Sequence, residues 1–77
     1  RFTVYPNPAK NQLKIESDLS GQILISLCTL NGQEVFGKSG NGRLITIDVS
    51  SFPSGIYMLK LVSNSSVSVK KIFISQG

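Results

Sequence analysis

Apolar residues in this chain recur at every second position, in short runs broken by turn-forming residues, and that pattern confines the fold to β-structure. Leu13 and Ile15 alternate with Gln12, Lys14 and Glu16, and Ile23, Ile25 and Leu27 with Leu24, Ser26 and Cys28. Ile45, Ile47 and Val49 alternate in the same way with Leu44, Thr46 and Asp48. A period of two places each apolar set on one face of a strand, ready to meet a core. No stretch shows helical spacing over the length a helix needs.

The punctuation between the runs is equally readable. Asn31-Gly32 predicts a hairpin with a type I′ turn, because both residues tolerate the positive φ it demands, and Gln33 to Phe36 is the returning strand. Gly37 to Gly42, the run GKSGNG, has nothing to pack and reads as a flexible loop. Ser50 to Gly55 turns the chain: Pro53 cannot donate to a ladder, and Gly55 can take a conformation closed to other residues. Ile56 to Val62 and Val67 to Ser75 then form a closing hairpin around Asn64-Ser65-Ser66, with Tyr57, Leu59 and Leu61 sharing a face.

The last strand carries a conflict of phase. Val67 and Val69 lie on one face and Ile72 and Ile74 on the other, with Lys71 on the valine face and Lys70 on the isoleucine face. A bulge near Lys70-Lys71 would reconcile the two, and so would an edge strand of relaxed register. Several short strands in 77 residues give an all-β class: a small antiparallel two-sheet β-sandwich, immunoglobulin-like, of about seven strands. A small barrel is the alternative. The whole chain, 1–77, forms one domain. It begins at Arg1 rather than Met, and so reads as a fragment of a longer protein.

Chemistry is sparse. The chain has no His, which removes the commonest general base and metal ligand. Its four acids, Glu16, Asp18, Glu34 and Asp48, sit in separate segments, and no Asp-rich loop suggests calcium. Asn7, Asp18 and Asp48 read as turn or cap residues bonded to local backbone. No catalytic, cofactor or metal residue is assigned, and no small-molecule substrate is expected. The net charge of +4 comes from scattered Lys and Arg without stacking aromatics, so nucleic acid is not expected either. The apolar runs are too short to span a membrane as helices. Cys28 stands alone and reads as a small buried hydrophobe on a strand.

Four motifs, in order, resemble the Por secretion system C-terminal sorting domain, the type IX secretion signal domain of Gram-negative bacteria. They are Tyr5-Pro6-Asn7-Pro8, the hairpin around Asn31-Gly32, the block from Ile47 through Gly55-Ile56-Tyr57, and Lys70-Lys71-Ile72. The resemblance covers essentially the whole chain. It implies a C-terminal sorting domain joined to an N-terminal cargo domain and carried from the periplasm to the cell surface or medium. The implied partners are the outer-membrane secretion machinery and a sortase-like cysteine peptidase that removes the domain. On this reading the domain is an address and a substrate, not an enzyme.

The recognition candidates are Lys70, Lys71, Ile72, Phe73 and Ile74, since a terminal strand at a sheet edge offers free backbone groups to a partner strand. The same edge is a route to a weak dimer. Tyr5, Pro6, Asn7, Pro8, Asn31, Gly32, Gly55 and Tyr57 are structural motif residues. Two other readings stand beside this one. One is a fibronectin-III-like or carbohydrate-binding accessory module of a secreted enzyme. The other is a small inhibitor or adhesin that inserts the loop Gly37 to Gly42 into a partner.

Overall fold

Burying every second side chain of a run requires that the backbone between find hydrogen-bond partners, and here neighbouring runs supply them. The computed structural model describes residues 2–17, 21–41, 43–64 and 66–76. In chain order the strands are β1 (Phe2–Tyr5), β2 (Gln12–Ser17), β3 (Gln22–Thr29), β4 (Glu34–Asn41), β5 (Leu44–Asp48), β6 (Gly55–Val62) and β7 (Val67–Ile74). All pair antiparallel, in a three-stranded sheet β1-β2-β5 and a four-stranded sheet β4-β3-β6-β7. The architecture is therefore a two-sheet sandwich, as the alternation implied, and not a closed barrel. Relative to the constant-type immunoglobulin order, the fourth strand lies beside the third rather than in the opposite sheet.

The inward set is the one the alternation marks. Leu13, Ile15, Ile45 and Ile47 of the smaller sheet are buried against Ile23, Ile25, Leu27, Leu59 and Leu61 of the larger one. Ile72 and Ile74 of β7 join them, and Leu24, Leu44 and Asp48 on the opposite faces are exposed. Removing this apolar surface from water is the main favourable term in the fold.

Four local expectations need correction. The β3–β4 turn is a hairpin but not type I′, because φ is positive at Gly32 (92°) and not at Asn31. Gly32 N–H donates to Thr29 C=O at 3.0 Å, and Thr29 N–H to Gln33 C=O at 2.9 Å. This is a three-residue loop closed by a glycine bulge, in which a single left-handed residue suffices. Secondly, Gly37 to Asn41 is not a loop but the second half of β4, paired with Gln22 to Ser26; Gly42 lies outside the described residues. An edge strand needs backbone partners more than apolar side chains, and Gly40 lets β4 pass close over Ile45, whose Cδ1 would sit 3.1 Å from an added Cβ.

Thirdly, β7 has no bulge and no slip: it stays in register with β6 from Val62↔Val67 to Gly55↔Ile74. The phase conflict is settled by exposing Val67 and Val69 on the outer face of an edge strand. The sheet's bulge lies instead between Leu27 and Cys28, where Val35 of β4 has no opposite residue. Finally, Cys28 is half-buried on the outer face of β3, beside Met58 of β6, and is not in the core.

The two lateral seams of the sandwich differ. On one side, Lys38 Nζ donates to Thr46 C=O at 3.3 Å and ties β4 to β5 across the gap between sheets. On the other side β1 and β7 leave an open cleft.

Candidate recognition edge

In an antiparallel ladder, residues alternate between exchanging backbone hydrogen bonds with the neighbour and turning those groups away from it. Phe73 shows which residues of β7 turn away. Its N–H donates to the side-chain Oδ1 of Asn7 at 2.9 Å, and its C=O accepts from Ala9 N–H at 2.8 Å. Ser75 N–H continues the line, donating to Ala9 C=O at 2.8 Å. The alternation then assigns the same outward direction to the N–H and C=O of Val67, Val69 and Lys71. Among the described residues nothing bonds these groups.

The edge is thus divided. From Phe73 onward it is covered by the chain's own beginning, and from Val67 to Lys71 it is open. Asn7 does not cap a local turn, as its residue type suggested. Its amide oxygen stands in for a strand carbonyl against a residue 66 positions away. Pro6 and Pro8, each after a cis bond, bracket it and have no N–H of their own to satisfy. Ala9, fully buried, makes a parallel bridge to Ile74. No sequence signal announced this contact.

A second clamp holds the end of β7 from the opposite side. Gln76 Nε2 donates to Val49 C=O at 2.8 Å and to Phe52 C=O at 3.2 Å, while its backbone N–H donates to Ser54 Oγ at 2.8 Å. The loop it grips is fixed by Tyr57, which is buried and donates its phenol proton to Pro53 C=O at 2.7 Å. Phe52 packs its ring between Phe36, edge-on at 6.2 Å, and Tyr57 at 6.4 Å. Gln76 was absent from the residues singled out by sequence, because a polar residue in a tail carries no periodicity. Gly55 has an ordinary role: its φ is not left-handed, and an added Cβ would meet only the Tyr57 ring at 3.8 Å.

The five recognition candidates fall into different environments. Ile72 and Ile74 are core residues, Phe73 is 44% exposed on the outer face, and Lys71 is exposed beside it. Lys70 shares the inward face of Ile72 but lies beyond the packed core, half-buried at the rim of the open seam. Pro53, Gly55 and Tyr57 surround the terminal clamp, and Asn7 forms the first one. Asn31 and Gly32 stay within their own turn on the far side of the sheet.

Two ionisable groups outside the edge are perturbed. Partial desolvation raises the Tyr5 phenol above its ordinary value, helped by the charge of Glu16 and by the hydrogen bond to Glu16 Oε2 at 3.2 Å. The Asp48 carboxyl is held below its ordinary value by the Ser50 hydroxyl at 2.6 Å and then by the Ser50 N–H at 3.0 Å. A depressed folded value means that Asp48 supports the fold above the unfolded-state value and loses that support as pH falls through the folded one. Asp48 thus bonds local backbone as read; Asp18 lies outside the described residues. Among the described residues no cluster of acids, His or Cys could hold a metal ion, and no helix is long and apolar enough to cross a membrane.

Residues 3–75 match the protein family described as the secretion system C-terminal sorting domain. No curated protein matches the chain significantly.

Proposed function

The chain belongs to the Por secretion family of C-terminal sorting domains and carries a type IX secretion sorting signal, and from that premise we propose that the open stretch of β7, Val67 to Lys71, is the part of the signal that the secretion machinery reads. The observation that supports this reading is the divided edge. Both clamps fasten the end of β7, yet among the described residues nothing bonds the outward N–H and C=O groups of Val67, Val69 and Lys71. An exposed strand edge with unpaired N–H and C=O groups is a ready template for a partner's strand. Lys71 discourages promiscuous pairing and steers an acidic partner.

On this reading a cargo domain precedes the sandwich and passes through the periplasm with it to the surface. A sortase-like cysteine peptidase then cuts in the segment ahead of the sandwich. Phe73 and Lys71 contribute side chains to the contact; Ile72 and Ile74 act from inside, by holding β7 in register. The domain itself works without catalysis. The family match leaves the accessory-module alternative without support, and the loop-insertion alternative loses its loop because Gly37 to Asn41 is strand.

The test is a passenger protein with a periplasmic targeting signal, fused ahead of residues 1–77 and expressed in a Gram-negative host with or without the type IX machinery. The passenger is expected at the surface or in the medium only when both the chain and the machinery are present. Accumulation in the periplasm of the competent host would refute the reading.

A further inference from the structure

The seam between β1 and β7 is an open cleft of about 480 Å³ whose lining includes Phe2, Val4, Asn7, Ser68, Lys70 and Lys71. Its chemistry is one-sided. Lys70 and Lys71 line it, and among the described residues no carboxylate does. Of the three acids among the described residues, Glu16 is engaged by Tyr5 and Asp48 by Ser50, while Glu34 sits on β4 at the other edge of the larger sheet. Among the described residues neither Lys70 nor Lys71 has an acidic partner.

Geometry sets what could enter. A strand added to β7 must stop at Lys71, because Asn7 and Ala9 already hold the edge from Phe73 onward. The space therefore suits a segment of about five residues, opposite Val67 to Lys71. Residues directly opposite each other across a sheet share a face. Side chains opposite Ser68 and Lys70 would point into the cleft, and those opposite Val67 and Val69 would lie on the outer face beside two exposed valines.

We infer that this cleft receives an extended segment of a partner protein with an acidic side chain flanked by apolar residues, the acid pointing inward to Lys70. The inference rests on the reading of β7 as the recognised strand and specifies the partner's chemistry. A second copy of the chain fits less well. Two β7 edges paired antiparallel about Val69 set Lys70 opposite Ser68 and Lys71 opposite Val67, so neither lysine gains a carboxylate. The net charge of +4 on each copy opposes the contact further.

The probe is acetyl-Val-Glu-Val-Glu-Val-amide, symmetric so that either strand direction sets a Glu opposite Lys70 within the stretch Val67 to Lys71, with a control peptide carrying Lys in place of both Glu residues. Binding to the 77-residue chain is followed by the amide signals of Val67, Val69 and Lys71 in nuclear magnetic resonance spectra at low salt. The acidic peptide is expected to bind about five- to tenfold more tightly than the control. Lys70→Glu is expected to reverse that preference, and Val69→Pro to remove binding of both peptides. Equal affinity for the two peptides overturns the inference, as do shifts confined to β4. Concentration-dependent shifts of the same three amides without peptide overturn it in favour of a second copy. Export blocked by Val69→Pro, with no charge preference among peptides, leaves the proposed function standing and removes this inference. Export indifferent to Val69→Pro, with charge-selective binding, removes the function and keeps the cleft.

Discussion

Proline at position 69 is expected to cut export of a fused passenger by more than about tenfold while the domain stays folded. The N–H of Val69 points away from β6, so its loss breaks no bond of the β6–β7 ladder. Proline is tolerated at such edge positions for this reason. A partner strand, by contrast, loses its central donor and meets the pyrrolidine ring. Two lost or strained backbone bonds at about 1 kcal/mol each suffice for the tenfold effect. Val69→Thr keeps both the N–H and the β-branch, and is expected to export normally. The check is the exported fraction of passenger for the three chains, alongside thermal unfolding of the isolated domains. An unfolded Val69→Pro domain would show instead that this edge position cannot accept proline.

Leu59→Ala is expected to cost about 2–5 kcal/mol, because a fully buried Leu leaves a cavity that a tight core closes only in part. Leu59 sits in the middle of β6, with Leu27 of β3 opposite on one side and Lys70 of β7 on the other. Domains of this length hold roughly 4–11 kcal/mol in total, so one truncation removes a large share. Urea unfolding of the two chains measures it. A loss below about 1 kcal/mol would mean that the centre of the sandwich is less tightly packed than these positions indicate. Leu24→Ala, on the exposed outer face, is expected to change stability by about 0.5 kcal/mol or less.

The legible part of this fold is the part governed by burial. Leu13, Ile15, Ile45, Ile47, Leu59 and Leu61 announce their faces by alternation, since a half-buried strand must put like with like. β4 was hidden because it is an edge strand whose inward positions are Phe36, Lys38 and Gly40, too mixed for a period to show. The Asn31-Gly32 hairpin was visible but its turn type was not, because both geometries use the same glycine. In β7 the residue pattern exposed a real conflict between Val67-Val69 and Ile72-Ile74. Its resolution by solvent exposure required knowing that among the described residues no strand covers β7 along Val67 to Lys71.

The clamps on β7 were illegible for a different reason. Asn7 bonds Phe73 across nearly the full chain, and Gln76 bonds carbonyls of a loop that is defined only once the sheets have formed. Such contacts leave no local pattern. The motif residues resembled a family, yet the resemblance did not say that Asn7 and the loop from Val49 to Ser54 would hold the two sides of one strand end. That convergence gives the open stretch of β7 its limits. Lys70 and Lys71, adjacent in sequence, are parted by the pleat into a cleft-facing and an outer-face cation.

The most direct measurement places a photo-cross-linking amino acid at position 69 and, separately, at position 46 on the exposed face of β5 in the opposite sheet. Each chain is fused to a passenger and irradiated in cells that contain the type IX machinery. Cross-linking to a component of that machinery from position 69, and little or none from position 46, is the expected result. Strong cross-links from position 46 with none from position 69 would contradict the claim that the open edge of β7 is what the machinery reads.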